Sequence, residues 1–447
     1  MGRLGKSRAL AVWMNGERVG EWRLPASGAQ EFRYDEEWLS SPASRPISLS
    51  FPLRPSRESY RVGVEAFFDN LLPDNRQIRE RIQRRFRTAS VAAFDLLREI
   101  GRDCVGALQI LPVDEGTPDV RRITGEPLTE ARVAKLLTAS LGSSSGFGEA
   151  EEEDAFRISL AGAQEKTALL RHKGRWYRPT GTTPTTHIFK LPIGLLPQGF
   201  DLSTSVENEW LCAQVVREYG IPVANCSLET FGEHKTLVVD RFDRRLSVDS
   251  RWWIRLPQED FCQATATAGA LKYEAHGGPG IRRILEVLLG SEDPAEDRRD
   301  FLRTLVVFWL LAAIDGHAKN FSLFLLSGGA YRLTPRYDVL SAYPLLGNGA
   351  GKIAPQKLKM AMAVEGKNRH YLWESIHAQH WIETARRSGV ADMPALLAEI
   401  VDRTPMVIAK VQNALPKGFP VAVADAVMAG LRAAGERLGA DLTQESR

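Results

Sequence analysis

The stretch Ala313-Ile314-Asp315-Gly316-His317-Ala318-Lys319-Asn320-Phe321 sets an acid, an imidazole, an ammonium and an amide directly after ten apolar residues, 305–314. Asp315 and Asn320 are spaced D-x-x-x-x-N. That spacing suits phosphoryl transfer: the Asp accepts the proton of an attacking hydroxyl, and the Asn five residues on holds a magnesium ion. Asp338 follows Asn320 by eighteen residues. Between them, residues 321–326 and 330–334 read as strands joined by Gly328-Gly329, which would bring Asp338 back opposite Asn320. Magnesium takes hard oxygen ligands and shares them with phosphates, so an Asp, an Asn and a nucleotide form a sufficient set.

Phosphates also need a cation. Lys190 lies in the strand-like Thr186-His187-Ile188-Phe189-Lys190-Leu191, and Glu209 follows nineteen residues later near the start of a helix, where it can orient the Lys. Glu207 is the rival for that role. Upstream, Ser159-Leu160-Ala161-Gly162-Ala163-Gln164-Glu165-Lys166 lies between two strand-like segments. Its small residues let backbone N–H groups approach phosphate oxygens, although it is not GxGxxG. Asp240-Arg241-Phe242-Asp243-Arg244-Arg245 ends the last strand before helical sequence, where a hinge would present backbone groups to adenine. Taken singly, each residue has an ordinary explanation. Asp and Asn cap helices and turns, and a Glu in a first helical turn is favoured by the helix dipole. The case rests on five such elements in one order.

The elements that must position these groups can be read from periodicity. Residues 9–14 and 18–24 form a β-hairpin around Asn15-Gly16. Residues 63–86 are helical with a break at Pro73, 94–100 form a short helix, 105–111 a strand and 128–141 an amphipathic helix. Residues 142–154 are Gly/Ser-rich and then acidic, and the main boundary is placed there. Strands follow at 156–161, 167–171 and 187–191, then a helix from Ser205, read as its N-cap, to Gly220, then strands at 226–231 and 236–242. Beyond about residue 261 the pattern is mostly helical.

Composition bounds the alternatives. The chain has 447 residues, 44% apolar and 25% charged, with a net charge of +3, which suits two or three packed units and is too small a charge to argue for nucleic acid by itself. The ten-residue apolar run is half of a bilayer span, and residues 1–6 lack a signal-peptide pattern, so a cytoplasmic location without membrane contact is expected. Cys104, Cys212, Cys226 and Cys262 are far apart and read as reduced core thiols. Arg79, Arg81, Arg84, Arg85 and Arg87 form a basic helix end, and Arg386-Arg387 a smaller cluster; such runs are usually solvated faces.

Together these blocks resemble the HipA family, the serine/threonine kinase toxins of bacterial HipBA toxin–antitoxin modules. The resemblance includes Phe67 to Asp74 (FFDNLLPD), Gly101 to Gly106 (GRDCVG), Ser159 to Leu170 (SLAGAQEKTALL), Thr183 to Pro192, Asp240 to Arg245, Arg255 to Cys262 (RLPQEDFC), Asp315 to Ser322 (DGHAKNFS) and Tyr331 to Asp338. It implies an α+β, bilobal, protein-kinase-like fold. An N-terminal α/β accessory subdomain (1–141) would precede a β-rich nucleotide lobe with phosphate loop and hinge (142–245) and a mainly helical C-lobe with the catalytic loop (246–447).

By the same resemblance Asp315 is the catalytic base, Asn320 and Asp338 hold Mg2+, and Lys190 contacts the ATP phosphates. The loop Ala161, Gly162, Ala163, Gln164, Glu165, Lys166 covers those phosphates. Asp240, Arg241 and Phe242 form the hinge, and His317, Lys319 and Tyr337 line the nucleotide site. Ser159 corresponds to the family's autophosphorylated serine, whose phosphorylation expels the phosphate loop and inactivates the kinase. The implied target is glutamyl-tRNA synthetase. The implied partner is a HipB-like antitoxin, and through it DNA, with nucleoid association in the complex. Asp240 stands where Glu is expected in the family, and the acidic residues 149–154 lengthen the segment before Ser159. A small-molecule kinase and a catalytically inactive co-repressor are the rival readings.

Overall fold

The computed structural model describes residues 7–141 and 166–445. Ser159, the loop residues Ala161, Gly162, Ala163, Gln164 and Glu165, the strand expected at 156–161 and the acidic residues 149–154 lie outside the described residues.

The N-terminal unit is built on β1 (Arg8–Met14), β2 (Glu17–Leu24), β3 (Glu31–Tyr34) and β4 (Leu108–Pro112), in the order β3-β2-β1-β4. The expected hairpin turn is present, with Asn15 and Gly16 both at positive φ, the geometry that matches strand twist. Helices α1 (Glu36–Ser40), α2 (Val64–Asp69) and α4 (Ala93–Ile100) pack on the sheet, and α3 (Arg76–Phe86) lies against α4. The helical pattern of 63–86 is broken around Pro73, as its missing N–H requires. Aromatic rings fill this core: Trp22 stacks on Phe68 at 3.9 Å and meets Phe94 edge-on at 4.9 Å.

A six-stranded antiparallel sheet follows, made of β5 (Gly125–Leu128), β6 (Lys166–His172), β7 (Arg175–Pro179), β8 (His187–Lys190), β11 (Cys226–Phe231) and β12 (His234–Asp240). Its order is β11-β12-β8-β6-β7-β5. The small pair β9 (Gly194–Leu195) and β10 (Asp201–Leu202) leads into α6 (Ser205–Glu218). Helix α5 (Glu130–Leu141) packs Val133 and Leu137 against Leu169, Phe189 and Val238 of this sheet. Thus β5 and α5, which the sequence reading placed in the first unit, belong structurally to the second. The apolar stripe of α5 has its partner there, so the structural division falls between β4 and β5 rather than at residue 142.

The C-terminal unit contains β13 (Arg244–Leu246), β14 (Trp253–Arg255), β15 (Gln258–Asp260), α7 (Phe261–Ala264), α8 (Ile281–Val287), α9 (Pro294–Leu310), β16 (Ser322–Leu325), β17 (Tyr331–Leu333), β18 (Lys359–Glu365), β19 (Arg369–Leu372), α10 (Ala378–Arg387), α11 (Met393–Asn413) and α12 (Val421–Glu445). It is mainly helical with short strand pairs. Helix α9 carries the first six residues of the apolar run and is buried around most of its circumference. Among the described residues no helix is long and apolar enough to cross a membrane. All four cysteines are free, and Cys104, Cys212 and Cys262 are buried.

A buried charge cluster joins the units. Asp103 of the GRDCVG block accepts from Thr185 N at 3.0 Å, Arg241 at 3.2 Å and Arg244 at 2.9 Å, and lies 3.4 Å from Arg255. Asp243 accepts from Arg241 at 2.8 Å and from Gly106 N at 2.7 Å. Gly106 sits at φ +72°, and a Cβ there would fall 2.8 Å from the Gln258 carbonyl, so this close approach requires glycine. Asp103→Asn leaves Arg241 and Arg244 with Asp243 alone and takes away the carboxylate beside Arg255. It is expected to cost about 3–5 kcal/mol of stability, read as a lower urea midpoint; a parental midpoint would refute the cluster's role.

A second junction is titratable. Glu259 accepts from Ser48 Oγ at 2.5 Å and Leu49 N at 2.7 Å. Burial pushes its carboxyl from 4.5 up to about 8, against those two hydrogen bonds. The group stays protonated in the fold but ionises early in the unfolded chain. Its stabilising contribution is therefore present below about pH 4.5 and lost as pH rises through about 8. Glu259→Gln, which cannot ionise, should match the parent's Tm near pH 4.5 and exceed it by a few degrees at about pH 9; equal Tm values at both would refute this.

Candidate active site

The sheet register determines which side chains reach the cleft. Lys166 on β6 pairs with Lys190 on β8, so both lie on one face, opposite to the face where Phe189 meets α5. Lys190 is buried, and its Nζ donates to Glu209 Oε1 at 2.6 Å and to Asp338 Oδ1 at 2.7 Å. Glu209 is therefore the orienting acid, whereas Glu207 points to Lys235 at 3.1 Å. Helix α6 begins one residue earlier than expected, with Thr204 at the cap. Ser205 Oγ instead accepts from Ile193 N at 3.0 Å. Asn208 locks α6 to the segment after Asp338 through both ends of its amide, donating to Ser341 O at 2.8 Å and accepting from Ser341 N at 3.0 Å.

Electrostatics follow from this geometry. Burial alone would pull the Lys190 ammonium down, but Asp338 and Glu209 hold it well above the ordinary lysine range. Desolvation favours a neutral Asp338, yet Lys190 and Lys166 hold its carboxyl well below the usual range. Burial raises Glu209 despite the ammonium beside it. Desolvation draws Lys166 down to about 8, an effect that Asp338 partly offsets.

The catalytic-loop candidates come from the end of α9. The helix stops at Leu310, Ala312 adopts φ +47°, and the chain turns out of the core. Asp315 is exposed, whereas Gly316 to Asn320 are buried. A Cβ on Gly316 would lie 2.8 Å from the Phe308 ring, so the loop is pressed onto α9. Asn320 Nδ2 donates to the Asp315 carbonyl at 2.8 Å, leaving its amide oxygen as a hard acceptor. The strands β16 and β17 form the expected hairpin, and Asp338 emerges from it at φ +63°. Left-handed backbone is unusual for a side chain other than glycine, and Asp is among the residues that tolerate it. The preceding Arg336 holds that turn: its backbone N–H bonds Pro222 O at 2.8 Å and its guanidinium pairs with Asp300.

The side chains of several predicted site residues are engaged by other parts of the protein. The Arg241 side chain is turned away from the cleft into the Asp103 and Asp243 cluster, and only its backbone lies at the lobe junction, where N–H donates to Thr186 O at 2.9 Å. Asp240 pairs with His187 at 3.1 Å. Phe242 packs against Tyr337 and Phe324, each 5.8 Å away. The Tyr337 hydroxyl donates to Lys319 O at 2.9 Å, so it braces the candidate catalytic loop from behind. The Lys319 ammonium is held by Asp74 at 2.7 Å. His317 is buried, and burial lowers its pKa; its Nδ1 has no partner among the described residues. Tyr273 and Asp74, which sequence reasoning assigned no role, also belong here: the Tyr273 hydroxyl donates to Asp315 Oδ1 at 2.6 Å. Asp74 lay inside the quoted FFDNLLPD block, but Tyr273 carried no spacing signal.

The residues fit a magnesium–nucleotide complex. Among the described residues no group of three or more His, Cys, Asp or Glu is arranged to hold a metal by itself. Magnesium bound with a nucleotide needs only one or two protein oxygens, which Asp338 and Asn320 can supply, while Lys190 and Lys166 offer positive charge to phosphate.

Comparison with known proteins agrees with this architecture. Residues 158–411 match the HipA-like C-terminal domain and residues 10–111 the HipA N-terminal domain. A Sinorhizobium fredii protein named "Putative kinase Y4mE" is 31% identical over 413 residues, covering 90% of this chain and 92% of that protein. The "Serine/threonine-protein kinase toxin HipA" of Shewanella oneidensis is 26% identical over 349 residues, covering 75% and 76%. The solved structure of Shewanella oneidensis HipA with HipB and operator DNA superposes with a TM-score of 0.79 at 22% identity, covering 97% of this chain and 98% of that one, which supports the bilobal α+β kinase-like fold. With both family domains matched in order, and with a relative of that identity along nearly its whole length, this chain belongs to the HipA family.

Proposed function

We propose that this protein is an ATP- and Mg2+-dependent serine/threonine protein kinase acting as a toxin. The observation that carries the reading is Lys190, held between Glu209 and Asp338 at 2.6 and 2.7 Å, with Asp315 and Asn320 in the loop that leads to Asp338. A cation fixed by two acids is poised to meet phosphate oxygens without reorganising. In the reaction, a serine Oγ forms a bond to the γ-phosphorus of ATP, the bond to the bridging oxygen of ADP breaks, and the serine proton passes to the Asp315 carboxylate. Magnesium would supply charge neutralisation at the phosphates, held by Asp338 and Asn320. The protein contributes mainly position, since this transfer demands little covalent help.

By family resemblance, the proposed target is glutamyl-tRNA synthetase, whose modification would stop tRNA charging and lead to growth arrest and persistence. Phosphorylation of Ser159 would end activity, because a dianion beside a phosphate-binding loop competes with ATP. The Shewanella oneidensis structure holds HipB and operator DNA. A HipB-like antitoxin and DNA are proposed here as well, in the cytoplasm and at the nucleoid. An inactive co-repressor would have no need of the arrangement at Lys190.

Two measurements test the proposal. Lys190→Met should weaken Mg-ATP binding at least tenfold by titration calorimetry; unchanged affinity would remove Lys190 from the nucleotide site. Intact and peptide mass spectrometry after incubation with Mg-ATP should find phosphate on Ser159 in the parent, and a rate about 100-fold lower or less in Asp315→Asn. A parent that starts unphosphorylated, binds ATP and gains no phosphate would refute self-inactivation. A parent that binds no ATP would bring the co-repressor reading forward.

A further inference from the structure

The N-terminal unit reaches the base of the candidate active site. The turn after α2 carries Asn70 and Asp74. Asp74 Oδ1 accepts from Lys319 Nζ at 2.7 Å, inside the catalytic loop, and its Oδ2 accepts from Lys272 Nζ at 2.8 Å. Asn70 Nδ2 donates to Thr267 O at 2.9 Å, and a Cβ on Gly269 would fall 2.7 Å from Asn70 Oδ1. The segment from Thr267 to Tyr273 is thus pressed between the N-terminal turn and the catalytic loop. Lys272 touches both sides: its ammonium meets Asp74, and its carbonyl accepts from Ala318 N at 3.3 Å.

The next residue is the one that matters chemically. The Tyr273 hydroxyl donates to Asp315 Oδ1 at 2.6 Å, and its ring lies edge-on to His317 at 5.0 Å. Asp315 is exposed, and an exposed carboxylate samples several rotamers unless something holds it. One short bond from a phenol fixes one oxygen and leaves the other for the proton of an incoming hydroxyl. Lys319 is only 7% exposed, so removing its carboxylate partner would strand a buried charge. Lys319 and Lys272 hold Asp74 down to about 2 against the effect of its own burial, so it is ionised at any working pH.

We propose that Tyr273 and Asp74 are positioning residues for phosphoryl transfer: Tyr273 orients the Asp315 carboxylate, and Asp74 sets Tyr273 and the catalytic loop through Lys272 and Lys319. The N-terminal unit is on this account part of the active site. The inference rests on the kinase reading above and deepens it.

The test uses the full chain, starting unphosphorylated, with Mg-ATP as the probe. Self-phosphorylation is followed by intact mass at a series of ATP concentrations for the parent, Tyr273→Phe, Asp74→Asn and the double variant, with circular dichroism to check folding. Each single variant should lower the maximal rate about tenfold or more, and leave the half-saturating ATP concentration within about twofold. The double variant should be no slower than the slower single, because both act along one path. A maximal rate that is unchanged or raised in Tyr273→Phe, a loss confined to ATP affinity, or losses that multiply would each overturn the inference while an active parent leaves the kinase reading intact. A raised rate would make Tyr273 a brake. If Asp74→Asn does not fold, Tyr273→Phe, which removes a single hydroxyl, decides alone. A parent that transfers no phosphate overturns the self-phosphorylating kinase reading and this inference with it.

Discussion

The cluster of Asp103, Arg241, Asp243, Arg244 and Arg255 is the constraint on which the rest depends. Five ionised groups are removed from water at one point, and each is tolerable only because the others are there. Their backbones come from the N-terminal unit, the lobe junction and the start of the helical lobe. Fixing these side chains therefore fixes three segments relative to one another. A hydrophobic contact could do so with less desolvation, but it would not select one register, whereas guanidinium forks and carboxylates meet only in defined directions. The backbone at 240–242, where a hinge was expected, inherits its placement from this cluster.

The second layer of organisation is the cleft itself. Lys190 bridges an acid on α6 and an acid that follows β17, so one ammonium reports on both lobes. Asp338 takes part from a left-handed backbone position, held by Arg336 against Pro222 and Asp300. Strain of this kind persists where surrounding contacts over-determine it, and such places tend to be functional. The proposed catalytic loop is similarly enclosed, by Phe308 beneath Gly316, by Tyr337 behind Lys319 and by Asp74 from the other unit. Within 315–320 only Asp315 is exposed.

Much of this was legible in the sequence because it follows from local rules. The Asn15-Gly16 hairpin, the break at Pro73, the exact strand Cys226–Phe231 and the Gly328-Gly329 hairpin are set by turn chemistry and alternation. The order Lys190, Glu209, Asp315, Asn320, Asp338 was likewise readable as spacing. Strand β5 was not: it has four residues, including a Pro, and sits at the sheet edge, where such a residue is tolerated. Strand β7 was missed because RWYRP puts an Arg on each face, Arg175 on one and Arg178 on the other, which breaks the apolar alternation. The destination of α5 could not be read either, since an apolar stripe says that a helix is covered and not by what. Arg241 read as a hinge residue from its place at the end of the last strand before helical sequence; that its side chain serves a contact 138 residues distant could not be read from spacing. Asp74 and Lys272 are 198 residues apart, and no periodicity links them.

The order in which the charge cluster is assembled has a consequence for the chain as it is made. Asp103 leaves the ribosome 138 residues before Arg241, an interval of roughly 7–30 s at ordinary elongation rates. During that time the sheet β1–β4 and its aromatic core can close, while Asp103 and the Gly106 amide remain in water, waiting for partners. Since domains generally fold as units, N-terminal first during synthesis, Arg241 and Arg244 would then meet a surface already formed, and the first unit would serve as the template on which the lobe junction is cast. Asp315 and Asp338 are synthesised later still. The charge cluster can thus be complete before Asp315 and Asp338 exist, whereas the Asp74–Lys319 contact forms only later, and no finished cleft is present until most of the chain has been translated.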